Sequence, residues 1–232
     1  MATSGVDNEL TRADFEGLPS RLLWRGSRHS PDVLLYEVNG ELVALKDFRD
    51  KPRVWRILIG LFLISREAGA LRVLDGMSGV PQFRGTPDRY SLAMTYIACK
   101  PITKWKPGPT GDERLASEVE GLVAEMHRRG VVHMDLKHRT NVATTPDGHA
   151  VLLDFASALR FNPGWFGGLL MVKLLGVPDR LAVAKWKRKL SPHQQSRAEK
   201  RRVEFLRRLE LVLRPRRLLR KIRHGQRRRR RK

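Results

Sequence analysis

Cysteine is almost absent from this 232-residue chain, in which Cys99 is the only thiol. A single cysteine can form neither an intramolecular disulfide nor a multi-cysteine zinc site. Nothing in the cysteine content points to an oxidising compartment, and we therefore expect a cytoplasmic protein.

Long apolar segments are absent as well. The longest run of mainly apolar residues covers positions 57–64, far short of the roughly 20 residues that a membrane-spanning helix needs. The N-terminus has acidic and polar residues where a secretory signal has a basic start and an apolar stretch. We expect neither a transmembrane helix nor export.

Acidic residues are scarce in the C-terminal part of the chain. Residues 1–160 contain 22 Lys and Arg against 20 Asp and Glu, whereas residues 161–232 contain 24 against 4. Such a basic segment attracts phosphate-rich partners. For residues 196–232 we predict a basic helical tail with a disordered end. This tail either stays solvated or contacts an anionic membrane surface, and nucleic acid is a less favoured partner.

The first 97 residues predict a small sheet and one helix. Short apolar runs in residues 22–48 are separated by Asn39-Gly40, a dipeptide that favours a tight hairpin because both residues tolerate positive φ. Pro52 suits the first turn of a helix, which we predict over about residues 53–74. Two further apolar runs predict strands of the same sheet, at residues 80–83 and 90–97.

The middle of the chain predicts a helix, a polar loop and a hairpin. Apolar side chains recur at helical spacing in residues 112–129, which indicates an amphipathic helix with one buried face. A polar loop follows at residues 130–141. The turn Pro146-Asp147-Gly148 then separates two apolar runs, so a hairpin carries Asn141 at one end and Asp154 at the other.

Five polar residues in these elements match the requirements of phosphoryl transfer, which are a cation on the phosphates, oxygen ligands for a metal ion and a carboxylate near the attacking hydroxyl. A rigid Val-Ala-Leu-Lys strand would present the ammonium of Lys46, and the carboxylate of Glu67 could fix its rotamer. Asp154 and Asn141 offer the hard oxygen ligands that Mg²⁺ prefers. Asp135 remains as the group that faces the acceptor.

The order of these motifs resembles the protein-kinase-like superfamily. The shared features are Val-Ala-Leu-Lys ending at Lys46, a helical Glu67, His-x-Asp-Leu-Lys from His133 followed by Asn141, and Asp-Phe-Ala from Asp154. The resemblance covers roughly residues 20–160 and is closest to bacterial lipopolysaccharide-core sugar kinases and RIO-type kinases. It implies an α+β, two-lobed protein-kinase-like fold with a small antiparallel-sheet N-lobe and a reduced, mainly helical C-lobe.

The resemblance also implies ATP and Mg²⁺ as ligands and a role for each matching residue. Asp135 would be the catalytic aspartate, and Lys137 would touch the transferring phosphate. Lys46, paired with Glu67, would bind the α- and β-phosphates. Two further sets of residues would receive adenine at the connection between the lobes and hold the metal: Thr95, Tyr96 and Ile97 for adenine, and Asn141 and Asp154 for Mg²⁺.

The chain divides accordingly into an N-lobe at residues 1–97, a reduced C-lobe with the catalytic loop at residues 98–195, and the basic tail. The implied reaction transfers the γ-phosphoryl group of ATP to a hydroxyl acceptor. That acceptor is either a membrane-proximal sugar of the lipopolysaccharide-core type or a protein Ser/Thr, and the sequence leaves both open. A protein bound peripherally to the inner face of the membrane would suit the first.

Three departures from the kinase pattern weaken parts of this assignment, and the glycine-poor loop among them favours an alternative. Asn141 stands six positions after Asp135, one more than usual, and the segment at residues 24–30 has a single glycine where a glycine-rich phosphate loop is expected. No Ala-Pro-Glu follows Asp-Phe-Ala. The alternative is a pseudokinase adaptor that binds membrane or nucleic acid through its basic tail.

Two apolar runs, at residues 57–64 and 164–172, have two interpretations each. They are either buried helices or helices whose outer face meets a membrane or a partner. His133 is interpreted as a residue that supports the loop backbone, and His138 as an exposed one.

Overall fold

The computed structural model describes residues 9–106 and 112–191, together with residue 201, residues 203–206 and residue 208. The prediction of a basic tail with a disordered end therefore lies mostly outside the described residues. Within 201–208, the described residues are helical.

A five-stranded antiparallel sheet forms the first half of the fold. Its strands are β1 (Arg21–Trp24), β2 (Asp32–Val38), β3 (Glu41–Asp47), β4 (Phe83–Gly85) and β5 (Ser91–Thr95), in the spatial order β1-β2-β3-β5-β4. Central strand β3 pairs with β2 and β5. Its side chains alternate between two faces, and the fully buried Val43 and Leu45 on one face anchor the strand that carries Lys46 on the other.

The predicted hairpin at Asn39-Gly40 is confirmed. Asn39 has φ 52° and Gly40 has φ 79°, which are the two left-handed conformations that a type I′ turn requires. Because this turn fixes the register of β2 against β3, it also determines that Lys46 lies opposite Val33.

The predicted helix over residues 53–74 is helical up to Val73, but it is not uniform. It consists of α1 (Arg53–Trp55), a π-helical turn (Arg56–Gly60) and α2 (Leu61–Val73). The π turn ends at Gly60, where an added Cβ would lie 3.1 Å from the ring of Phe48. The wide turn and the missing side chain together let the helix lie close against the segment that follows β3.

The apolar run at residues 57–64 is not buried on all sides. Ile64 is buried, whereas Leu58 is 67% exposed and Phe62 is 55% exposed. The fully buried interpretation of this run is therefore wrong, because α2 packs on the sheet through one face only.

The strand predicted at residues 80–83 is largely wrong. Strand β4 begins only at Phe83. Pro81 has no amide hydrogen, and the Gln82 side-chain amide donates to the carbonyls of Met77 and Val80, each at 2.9 Å. A side chain thus satisfies backbone groups that a strand would have paired.

The second half of the fold contains the predicted amphipathic helix and hairpin. Helix α3 (Glu113–Arg128) begins at the N-cap residue Asp112, whose carboxylate accepts from the Leu115 amide at 2.9 Å. Five short strands accompany it: β6 (Lys100–Pro101), β7 (Val131–Val132), β8 (Val142–Thr144), β9 (Ala150–Leu152) and β10 (Leu159–Arg160). β8 and β9 form the hairpin that was expected to join Asn141 to Asp154.

Two helices, α4 (Phe166–Leu175) and α5 (Val177–Leu190), follow. The main core is continuous from the sheet side, with Phe48 and Leu92, to α5, with Trp186 and Leu190. The molecule is thus α+β, as predicted, with an antiparallel sheet on one side and mainly helices on the other. Among the described residues, no helix combines the length and the apolar character needed to cross a bilayer.

Candidate active site

Lys46 and Glu67 form a closed ion pair between the sheet and helix α2. The Lys46 Nζ lies 2.8 Å from each carboxylate oxygen of Glu67. The Glu67 side chain is only 2% exposed and that of Lys46 only 14%. Because Lys46 belongs to strand β3 and Glu67 to helix α2, the ion pair fixes the distance between the sheet and the helix.

Asp154 completes this group from the far end of the β8–β9 hairpin. Its Oδ1 lies 2.8 Å from Lys46 Nζ, and the next amide, that of Phe155, donates to Glu67 Oε1 at 3.1 Å. Asp154 has φ 64°, a left-handed conformation that is uncommon for residues other than glycine. The backbone turn thus aims the Asp154 carboxylate at Lys46 while its side chain stays 52% exposed.

The charged groups of Lys46, Glu67 and Asp154 shift one another's pKa values. Burial alone would lower the pKa of Lys46, but the carboxylates of Glu67 and Asp154 outweigh burial and raise the pKa well above its ordinary value. The Lys46 ammonium in turn lowers the pKa of Asp154. Burial raises the pKa of Glu67, and the adjacent ammonium opposes that rise. At neutral pH the site presents a permanent cation beside an ionised, half-exposed carboxylate.

Asn141 and Asp135 lie together in the loop after β7. The Asn141 Nδ2 donates to the Asp135 carbonyl at 3.1 Å and approaches its Oδ2 at 3.3 Å. The amide of Leu153 donates to the Asn141 carbonyl at 3.0 Å, so Asn141 lies next to the turn that carries Asp154. Asp135 is exposed and open to an incoming molecule.

The side-chain oxygens of Asp154 and Asn141 suit a hard divalent cation that also binds phosphate. Asp154 supplies an ionised and accessible carboxylate, and the neighbouring Asn141 can supply an amide oxygen, both of which suit Mg²⁺. In the part of the chain that is described, no group of three or more His, Cys, Asp or Glu side chains could hold a metal ion alone.

Asp179 on α5 is a supporting residue that the sequence argument missed. Its fully buried carboxylate accepts from the amides of His133 at 2.7 Å and Met134 at 2.9 Å. His127 Nε2 lies 3.1 Å from the same carboxylate. Met134 has φ 70°, and these bonds hold that strained residue directly before Asp135. A signal existed, because Asp179 is the only acidic residue between Asp154 and Glu199.

Helix α5 also holds the other side of the loop. The indole Nε1 of Trp186 donates to the Leu136 carbonyl at 3.0 Å, and the Lys185 ammonium donates to the Lys137 carbonyl at 2.8 Å. Burial and the nearby charges of Lys137, Lys189 and Arg139 lower the pKa of Lys185. The surface beside Asp135 is therefore strongly cationic.

The histidines of the loop lie as expected. His133 is fully buried, and its Nε2 lies 3.0 Å from the Leu153 carbonyl. Since a carbonyl only accepts, this nitrogen carries the hydrogen. His133 thus ties the loop to the strand before Asp154, and His138 is exposed.

The predicted adenine-facing residues are less available than the sequence suggests. The amide of Thr95 donates to the Gln82 carbonyl and that of Tyr96 to the Leu42 carbonyl, each at 2.9 Å. Ile97 lines a separate cleft of about 300 Å³ with Gly79 and Leu122. The first two amides are thus engaged within the protein, so a backbone amide that donates to adenine would have to lie after Tyr96.

The loop expected to cover the phosphates is tied down without a glycine-rich sequence. The Gly26 amide donates to Asp32 Oδ1 at 2.6 Å, and Lys51 Nζ donates to the same oxygen at 2.7 Å. A Cβ on Gly26 would lie 2.2 Å from the Pro31 carbonyl oxygen. The single glycine is thus required by the turn itself.

Comparison with known proteins gives limited sequence similarity. No protein-family model matches the chain. A probable SapB synthase of Streptomyces coelicolor is 29% identical over 141 residues, which cover 52% of this chain and 15% of that protein. The chain thus corresponds to a small part of this relative.

Comparison with solved structures identifies the fold. The Rio2 kinase of Chaetomium thermophilum matches with a TM-score of 0.55 and 15% identity, covering 81% of this chain and 62% of that one. The ADP, Mg²⁺ and phosphoaspartate complex of Rio2 from the same organism matches with a TM-score of 0.53 and 13% identity, covering 81% and 60%. The chain therefore has a protein-kinase-like fold and spans about three fifths of these kinases.

Proposed function

We propose that the protein is an ATP-dependent phosphotransferase that moves the γ-phosphoryl group of ATP to a hydroxyl acceptor. The observation that carries this proposal is the convergence of Lys46, Glu67 and Asp154 within 2.8 Å contacts. A solved structure of the same fold contains ADP and Mg²⁺, which supports the same ligands here.

Each residue has a definite task in the proposed reaction. Lys46 binds phosphate oxygens, and Glu67 holds its ammonium in place. Asp154 and Asn141 would hold Mg²⁺, which neutralises charge on the phosphates when it is bound. Asp135 orients the acceptor hydroxyl and receives its proton. The acceptor oxygen then bonds to the γ-phosphorus as the bond to the β-phosphate oxygen breaks, and ADP leaves. Lys137 is proposed to contact the transferring group.

The acceptor is either a membrane-proximal sugar or a protein Ser/Thr. The loop that carries Asp135 includes Lys137 and Arg139, whose charges lie close to Lys185 on α5. This group of cations favours an acceptor with negative charge near its hydroxyl. We also propose that residues 196–232 hold the protein at an anionic membrane surface, although most of them lie outside the described region.

One observation favours the pseudokinase alternative. In the segment at residues 24–30, the Gly26 amide donates to Asp32, and the amides of Ser27, His29 and Ser30 donate to serine oxygens of the same segment. The segment therefore offers few free amides to a triphosphate. If this prevents ATP binding, the protein acts as an adaptor through its basic surfaces.

Transfer of label from γ-labelled ATP tests the proposal. A panel of lipid-linked sugars and of proteins would be offered to the wild type, to Asp135→Asn and to Asp147→Asn. Asp147 is exposed in the β8–β9 turn and serves as the matched control. We expect Asp135→Asn to lose about 100-fold or more in transfer rate and Asp147→Asn to match the wild type. Transfer that survives Asp135→Asn contradicts the assigned mechanism.

A further inference from the structure

Helix α4 turns an apolar stripe towards the outside of the molecule. Phe166 is 81% exposed, Leu169 44% and Leu170 41%, and Trp165, the residue before the helix, is 68% exposed. Positions 166, 169 and 170 share one helical face. In a helix that only packs on a core, this face would be polar. These four residues are called the α4 stripe.

The orientation of α4 is fixed by its opposite face. Gly168 and Val172 are buried, and a Cβ on Gly168 would lie 1.9 Å from the Asn162 carbonyl oxygen. At the end of the helix, a Cβ on Gly176 would lie 2.8 Å from the His127 ring. Because these glycines bring the helix into close contact with its neighbours, α4 cannot rotate to bury its apolar side chains.

Basic side chains surround the end of the α4 stripe. Lys173 is exposed one turn beyond Leu170, and the Arg180 guanidinium donates to the Lys173 carbonyl. The helical residues Val203 and Leu206 pack on Val177, directly after α4. The basic tail, residues 196–232, contains 18 Lys and Arg against 3 Asp and Glu, and its described residues therefore pack beside the end of α4.

We propose that the α4 stripe inserts into the interface of an anionic lipid bilayer, with Lys173 and the adjoining basic segment against the headgroups. An apolar face that contains Trp and Phe and is bordered by Lys and Arg is the composition of interfacial membrane helices. The chain's net charge of +22 opposes the approach of a second copy and attracts an anionic surface. The inference extends the proposed membrane contact of the tail to a second element and does not depend on phosphotransfer.

Vesicle co-sedimentation with the full chain tests this inference. The vesicles are phosphatidylcholine alone or phosphatidylcholine mixed with phosphatidylserine. The variant is Phe166→Ser/Leu170→Ser, and the matched control is Leu22→Ser/Leu42→Ser, which removes two exposed apolar residues from strands β1 and β3. We expect the α4 variant to bind mixed vesicles at least about tenfold more weakly than the wild type, because each buried apolar side chain contributes to insertion. The control should change less than about twofold.

Trp165 provides a second measurement. The difference between the emission of the wild type and of Trp165→Phe should shift to shorter wavelength on mixed vesicles, as an indole does on entering an apolar medium. Equal binding by the α4 variant and the wild type would overturn the proposal and leave the tail as the only membrane contact. So would a concentration-dependent dimer in solution that the α4 variant abolishes, since a second copy would then cover the stripe. Melting curves of both variants check that they remain folded.

Discussion

At the scale of single residues, the Lys46 ammonium lies between the fully enclosed carboxylate of Glu67 and the half-exposed carboxylate of Asp154. Removing charges from water is expensive, so a buried carboxylate is stable only beside a partner. If the Lys46–Glu67 pair served only to stabilise the fold, it would not need Asp154. Because the Asp154 carboxylate lies next to solvent, a ligand can take its place beside the Lys46 ammonium.

Removing one charge of the Lys46–Glu67 pair should destabilise the protein more than removing both. Lys46→Met leaves Glu67 buried without a countercharge, and we expect a loss of about 3–5 kcal/mol in the free energy of unfolding. The double variant Lys46→Met/Glu67→Gln removes both charges and should recover most of that loss. Urea unfolding measures all three proteins. Equal stability of the single and the double variant would mean that Glu67 is not held as a buried anion.

At the scale of secondary-structure elements, helix α2 is tied to the segment after Asp154 by two arginines. Arg66 donates from Nε to the Ala158 carbonyl at 3.0 Å and from Nη2 to the Ser157 carbonyl at 2.6 Å. A Cβ on Gly69 would lie 2.2 Å from Arg160 Nη1, so the Arg160 guanidinium lies directly on the helix. The helix position that carries Glu67 is thus set by backbone contacts.

Replacing Arg66 should therefore slow catalysis, because the part of α2 that carries Glu67 is then less firmly positioned. We expect Arg66→Ala to lower the rate of phosphoryl transfer about tenfold or more, since three charge-assisted hydrogen bonds to two carbonyls are lost. Arg66→Lys, which keeps one donor, should restore part of the rate. Arg72→Ala on the same helix is the control, because its carboxylate partner Glu9 is exposed and such pairs contribute little. Steady-state kinetics that do not distinguish Arg66→Ala from Arg72→Ala would contradict this role.

Local signals account for the elements that were predicted from the sequence. The Asn39-Gly40 hairpin and helix α3 follow from turn chemistry and periodicity, which act over a few residues. The π turn at residues 56–60, the late start of β4 at Phe83 and the outward stripe of α4 depend on specific contacts with residues outside each element. Phe48 against Gly60 and Asn162 against Gly168 are two such contacts, and neither has a local sequence signature.

At the scale of the whole molecule, the candidate site lies where the sheet meets the mainly helical part, around a core that both share. The order of the motifs predicted one site for Lys46, Glu67, Asp135, Asn141 and Asp154. The structure brings the first two into contact with Asp154 and places Asn141 beside Asp135. Asp179 was not predicted, because its role depends on α5 reaching the loop after β7. The engaged amides of Thr95 and Tyr96 were likewise hidden, since their partners are Gln82, just before β4, and Leu42 in β3.

The stability of the folded chain in the presence of Mg²⁺ and ATP tests the central claim most directly. A ligand at about 100 times its dissociation constant stabilises the fold by about 2.7 kcal/mol, which in a chain of this size raises the melting temperature by roughly 5–10 °C. We predict that increase for the wild type and for Asp147→Asn, and a much smaller one for Asp154→Asn. No increase in the wild type at any Mg²⁺-ATP concentration, or an equal increase in Asp154→Asn, would contradict the account.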